Sequence, residues 1–158
     1  MAFAEKTKQA PGAPGRILAI DYGQKRIGLA VSDELQMTAQ PLQTLVRMNR
    51  RNDIRRLREV VRKHEVRRIV VGHPLHLDGT ESEMAAEAAQ FAKRIAKELG
   101  LLVALADERL SSWEAGQLHA ASTRKARRRR TVDEIAAAVI LRDYLAQLHA
   151  EPGPQVPR

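Results

Sequence analysis

Apolar positions along the chain fall into short runs that change period several times, and each change marks an element. Arg16 to Asp21 (Arg-Ile-Leu-Ala-Ile-Asp) is a continuous apolar run ending in a carboxylate, the pattern of a buried strand. Tyr22 to Lys25 contains Gly23 and predicts a turn. Arg26 to Ser32 predicts a second strand, so the two form a hairpin. A third strand lies within Thr38 to Val46, and Pro41 places it near a sheet edge, because proline cannot donate to a ladder on both sides. From Asn52 to His64 the period becomes helical, with Ile54, Leu57, Val60 and Val61 on one face and arginines opposite. Arg68 to Gly72 (Arg-Ile-Val-Val-Gly) predicts a strand buried on both faces. Thr80 with Glu83 reads as a capping box opening an alanine-rich helix to Leu99, stopped by Gly100. Leu101 to Ala106 is a fifth strand running into Asp107 and Glu108. Ser111 to His119 predicts a short helix, and a basic loop follows. Thr131 with Glu134 predicts a second capping box, opening a last helix to about Leu148. A three-strand meander followed by right-handed crossovers gives an α/β fold, a mixed five-stranded sheet flanked by helices.

Composition adds compartment and partner to this outline. The chain has 158 residues, enough for one buried core, and is 44% hydrophobic, as a folded domain requires. With no cysteine, disulfides and thiolate metal sites are excluded and a reducing compartment is compatible. No run approaches the roughly 20 apolar residues of a membrane span, and Met1 to Gly15 lacks the apolar stretch of a signal peptide, so the expected location is the cytoplasm, with no membrane partner. Five of the seven prolines lie in Met1–Gly15 and Glu151–Arg158, which predict flexible tails, residues 1–15 and 150–158, around a domain spanning 16–149. The formal charge of +8 is clustered: ten Lys/Arg stand against three Asp/Glu between Arg47 and Arg68, and Arg124 to Arg130 holds six cations in seven residues. Clustered cations neutralise phosphates and release counterions, so a nucleic-acid partner is expected.

In an open sheet, ligands gather at the carboxyl ends of the parallel strands. Asp21 ends the first strand and Glu108 lies just past the fifth. Asp133 lies in the first turn of the last helix, and its helical neighbours Ala136, Ala137 and Ile140 put it on the apolar face. Three carboxylates therefore converge. Their mutual repulsion calls for hard divalent cations, Mg²⁺ or Mn²⁺, which prefer carboxylate oxygens and bridge to phosphates. Two ions roughly 4 Å apart suit an in-line phosphoryl displacement. Each acid also has an ordinary reading. Asp21 would suit a turn, Glu108 a surface ion pair, and Asp133 a helix start favoured by the dipole. His73 and His76 flank Pro74 beside the proposed site and read as loop histidines before they read as ligands. Ser111 and Ser112 have no base at a recognisable offset. Gly23 and Gly28 do not make a dinucleotide fingerprint, because no helix follows them.

Four segments resemble a known family. Leu18-Ala-Ile-Asp-Tyr-Gly-Gln-Lys-Arg-Ile-Gly-Leu-Ala-Val-Ser-Asp33 is similar to the opening motif of the YqgF/RuvX family of RuvC-like Holliday junction resolvase homologues. Val70-Val-Gly-His-Pro-Leu-His-Leu-Asp-Gly79 resembles its second motif, Asp107-Glu-Arg-Leu-Ser-Ser112 its third and Val132-Asp-Glu-Ile-Ala-Ala-Ala-Val-Ile-Leu141 its last. The resemblance spans about Ile17 to Leu148. It implies an RNase H-like fold and a nuclease linked to maturation of the 5′ end of the small-subunit ribosomal RNA precursor, with action on branched DNA implied by kinship. The family's acidic positions fall on Asp21, Glu108 and Asp133. His73 and His76 depart from the family's usual apolar residue and Asn. The junction resolvases carry an acid at the end of the fourth strand, where this chain has Val70-Val-Gly-His, so Glu108 must supply that ligand. Nucleic-acid contacts are expected from Lys25, Arg26, Arg109, Arg124, Lys125, Arg127, Arg128, Arg129 and Arg130. Cutting a four-way junction needs two symmetric sites, which points to a homodimer. Two other readings remain: a nucleic-acid-binding protein without catalysis, and a sugar-kinase or actin-like ATPase suggested by Asp21-Tyr-Gly23. The second needs two such domains, and this chain has the length of one.

Overall fold

A computed structural model of the chain describes residues 15–108 and 132–150. Five strands, β1 (Arg16–Tyr22), β2 (Arg26–Ser32), β3 (Ala39–Val46), β4 (Val66–His73) and β5 (Leu102–Asp107), form one sheet in the order β3-β2-β1-β4-β5. β1–β2 and β2–β3 are antiparallel, and β4 and β5 run parallel to β1 and to each other, giving the mixed sheet expected. Pro41 sits on β3, which pairs only with β2, and the register shifts beside it between Leu29 and Ala30. An edge position with a local irregularity is where a strand tolerates a missing N–H.

Three helices cover the two faces: α1 (Arg50–Lys63), α2 (Glu83–Leu99) and α3 (Val132–Ala150). Side chains alternate along each strand, and each parity builds its own core. Leu18, Ile20, Ile27, Leu29, Ile69 and Val71 pack against Ile54 and Leu57 of α1 and Phe91 and Ile95 of α2. Ile17, Ala19, Ala30 and Val70 pack against Ala137, Ile140, Leu141 and Leu145 of α3. The second face is paved with small residues, including Ala104 and Ala106 of β5, so one helix lies close over the middle of the sheet.

Helix boundaries differ from the sequence reading in two places. α1 starts earlier than Asn52, because Asn49 is its cap and accepts a hydrogen bond from the Asn52 amide at 2.9 Å. The cap of α2 is Ser82, whose Oγ accepts from the Ala85 amide at 3.0 Å, and Thr80 is not part of it. Asp78 closes its own turn, accepting from the Thr80 amide at 2.9 Å and the Thr80 hydroxyl at 2.6 Å, so the Thr80 side chain is committed there. Gly100 ends α2 in the left-handed conformation at φ 67°, as expected of a glycine stop. The tails, the Ser111–His119 helix, the basic loop and the Thr131 cap lie outside the described residues. No helix among the described residues is long and apolar enough to cross a membrane.

Candidate active site

Strand parity sets the site. Asp21 shares the face of Ile17 and Ala19, so its carboxylate lies under α3, while Tyr22 turns to the opposite core. On the same face, Asp21 is paired with Gly28 of β2, and Gly72 of β4 is paired with Ala106 of β5. Both glycines are filled by what stands over them. A Cβ at residue 28 would collide with the Asp133 backbone carbonyl, so bare backbone there lets the first turn of α3 settle on β2. A Cβ at residue 72 would collide with Glu108 Oε1 and would come within 2.7 Å of Ile140 Cδ1. Glu108, just past β5, therefore folds back over β4, which itself ends without an acid.

The carboxylates interact in a chain centred on Asp21. Burial first, and then the negative charge of Asp133, pushes Asp21 up to about 6. Burial first, then Asp21 and then Asp107, pushes Glu108 up to about 7. Asp133 has a cationic partner: Arg26 Nε donates to its Oδ2 at 2.9 Å, from a side chain 60% exposed. Asp21 has no ion-pair partner among the described residues. Also among the described residues, no group of three acids or histidines is arranged to enclose a metal ion outright. The electrostatic couplings run pairwise, Asp133 with Asp21 and Asp21 with Glu108. Such a pair suits a cation that keeps much of its water, as Mg²⁺ does when one or two carboxylates hold it beside a phosphate.

Of the cations expected at the site, Arg26 reaches it and Lys25 lies exposed on the adjoining turn. Arg109, Arg124, Lys125 and Arg127 to Arg130 lie outside the described residues. His73 falls on the parity opposite to Gly72, and its Nε2 stands 3.6 Å from Glu81 Oε2, away from the carboxylates. His76 belongs to the loop, where its amide donates to the Thr80 carbonyl at 2.9 Å. Sequence reasoning missed the glycine pair. An isolated glycine inside a strand signals close backbone approach, and both Gly28 and Gly72 carry that signal.

Comparison with known proteins places the chain in a family and gives its fold. The family model described as "RuvX: Holliday junction resolvase" matches residues 15–147. The chain is 45% identical over 139 residues to a Koribacter versatilis protein named "Putative pre-16S rRNA nuclease", an alignment covering 87% of this chain and 91% of that one. It is 44% identical over 140 residues to a Syntrophus aciditrophicus protein of the same name, covering 88% and 93%. Among solved structures, T. thermophilus RuvC in complex with Holliday junction substrate superposes with a TM-score of 0.57 at 17% identity, covering 86% of this chain and 96% of that one. T. thermophilus RuvC gives a TM-score of 0.52 at 15% identity, covering 85% and 96%. At these identities the likeness establishes the fold, which is RNase H-like.

Proposed function

The chain belongs to the RuvX family of Holliday junction resolvases, and from that membership we propose that it is a divalent-metal-dependent nuclease cutting the phosphodiester backbone at Asp21, Glu108 and Asp133. One observation carries this reading. Asp21 and Glu108 are desolvated together at the carboxyl ends of β1 and β5, the two strands that flank β4, with both carboxyl groups held well above the usual range. Burying acids beside one another costs several kcal/mol with no structural return, and a bound cation removes the cost. The all-oxygen donor set selects Mg²⁺ or Mn²⁺, with two ions the number suited to backbone hydrolysis. Such ions supply an activated water and charge stabilisation of the leaving oxygen.

The chain's own residues do the rest. Asp21 and Glu108 are the principal ligands, and Asp133 joins them when Arg26 is drawn away. Arg26 is exposed enough to exchange the Asp133 carboxylate for a substrate phosphate, which would free Asp133 as the substrate arrives. Residue 108 and residue 132 bound the segment that holds the remaining basic residues, so both ends of that segment are anchored beside the carboxylates. This supports a role for Arg109, Arg124, Lys125 and Arg127–Arg130 in gripping the backbone.

For the substrate we take the 5′ region of the small-subunit ribosomal RNA precursor, following the names of relatives about 45% identical over most of both chains. With that substrate we take the cytoplasm as its location. Branched DNA is the second reading, favoured by the description of the family, and it requires a homodimer. The two separate in a cleavage panel of ribosomal RNA precursor, single-stranded RNA, duplex DNA and a four-way junction, each with Mg²⁺, with Mn²⁺ and with excess chelator. Metal-dependent cutting of the precursor at a defined position is expected. Binding to every substrate with no cutting in either metal would leave a nucleic-acid-binding protein without catalysis.

A further inference from the structure

Behind the carboxylates, on the other face of the sheet, lies a cavity of about 340 Å³ that the catalytic reading does not use. It opens where β3 passes into α1, beside α2, and its size falls at the small end of the roughly 300–1,000 Å³ typical of ligand sites. Its inner wall is a column of three flat groups. Phe91 of α2 stacks on Tyr22 with ring centroids 4.2 Å apart and planes 15° apart, and the Arg47 guanidinium lies over the Tyr22 ring at 4.5 Å. Phe91 and Tyr22 are two of only four Phe and Tyr residues in the chain.

The charges around this column are unevenly satisfied. Asp53 is neutralised by Arg56 at 2.6 Å and accepts from the Met48 amide at 3.0 Å. Arg47 is also occupied, its Nη1 donating to the Gly23 and Gln24 carbonyls at 2.9 Å each. Arg50 and Arg94 line the same cavity, and neither has an ion-pair or hydrogen-bond partner among the described residues. Glu87 is the remaining acid of the lining, one carboxylate against two uncommitted guanidinium groups.

Two free guanidinium groups around a stacked aromatic column form a recognition surface for a nucleotide, since arginine pairs with phosphate and guanidinium and aromatic planes both accept a base. We propose that this cavity is a subsite for one unpaired nucleotide of the substrate strand, with Arg50 and Arg94 on its phosphate and its base against the outer plane of the Arg47 guanidinium, which caps the Tyr22–Phe91 stack. The inference rests on the nuclease reading for its substrate and deepens it. Tyr22 follows Asp21 directly, so subsite and carboxylates share the same end of β1 on opposite faces. Between them runs the β1–β2 turn, whose carbonyls Arg47 grips and whose exposed Lys25 and Arg26 lead round to Asp133. A single strand can follow that path over the turn. The second strand of a duplex cannot be accommodated where a lone base enters a small cavity, so occupancy selects an unpaired stretch next to the cut.

The test measures binding apart from cleavage. Asp21→Asn protein, with and without Arg50→Ala and Arg94→Ala together, is titrated with a fluorescent single-stranded RNA and with the same RNA fully paired, over a salt series. Removing the two arginines should weaken single-strand binding by about tenfold and lower the slope of log affinity against log salt by about 0.7, for the one phosphate they share. Duplex affinity should change by less than about twofold, because the duplex does not enter the cavity. Equal weakening toward both RNAs, or none toward either, would overturn the subsite. Cleavage assayed with Asp21 intact keeps the two readings apart. Loss of single-strand binding in a protein that never cuts would sink the nuclease reading alone, and undiminished binding in one that cuts would sink the subsite alone.

Discussion

Asp21 and Glu108 carry the clearest physical signature in the molecule, two carboxyl groups whose protonated forms the fold prefers. Their ordinary values are 3.8 and 4.5, and the folded chain raises them to about 6 and about 7. Between these limits the folded state binds more protons than the unfolded state, so stability falls as pH rises. Their stabilising contribution is complete below about pH 4 and is lost through pH 6 to 7, at roughly 3 kcal/mol for each group. His64, lowered by burial and by Lys63, acts in the opposite sense. Urea unfolding in chelator should therefore give a lower midpoint at pH 8 than at pH 5, and Mg²⁺ at pH 8 should recover much of the difference. A midpoint that rises with pH in chelator would remove the repulsive pair. The glycine beneath Glu108 belongs to the same scale. Gly72→Ala places a methyl group where the Glu108 carboxylate lies. It should cost about 1–3 kcal/mol through overpacking and abolish most cleavage, because the displaced group is a proposed ligand. Near-normal turnover by Gly72→Ala would show that Glu108 acts from another position.

At the scale of elements, strands were more legible than caps or close approaches. Apolar runs located β1, β2 and β4, because burial on two faces leaves no freedom in which residues are apolar, whereas Pro41 marked β3 as an edge strand. The convergence of Asp21 with Asp133 followed from one strand end and one helical face. The capping of α2 was not legible, since Thr80 and Ser82 both precede the alanine run. Asp78 decides between them by holding the Thr80 hydroxyl in its own turn, leaving Ser82 to meet the Ala85 amide. Ser82→Ala should then lower stability by about 1 kcal/mol, and Thr80→Ala by less than about half that, in urea unfolding. The reverse order would restore Thr80 as the cap. The glycine pair was hidden for a different reason. Hydrophobic patterning reports which side chains are buried, whereas Gly28 and Gly72 serve by having none, under Asp133 and Glu108 respectively. The Tyr22–Phe91–Arg47 column was equally invisible, because it joins three elements distant in sequence.

Over the whole molecule, the sheet divides the labour. One face is packed tightly by α3 and holds the acids at its rim, and the other carries α1, α2 and the dense arginines of residues 47–62. The formal charge of +8 draws a polyanion to both, and the basic run at 124–130, between Glu108 and Asp133 in the chain, is the part of that charge proposed to grip the backbone for the acids. Replacing Arg127 to Arg130 with Gln should weaken binding to all sequences alike and lower the salt slope by roughly 0.7 to 0.9 for each phosphate no longer neutralised. An unchanged slope would move the backbone-binding surface to the arginines of α1. All of this depends on Asp21 being a ligand rather than a structural acid, and a single variant separates the two. In Asp21→Asn the cleavage rate under single-turnover conditions in Mg²⁺ should fall by at least about a thousandfold, while the metal-free protein becomes more stable at pH 8 than the wild type. A variant that still cuts at close to the wild-type rate would contradict the account, whatever its stability.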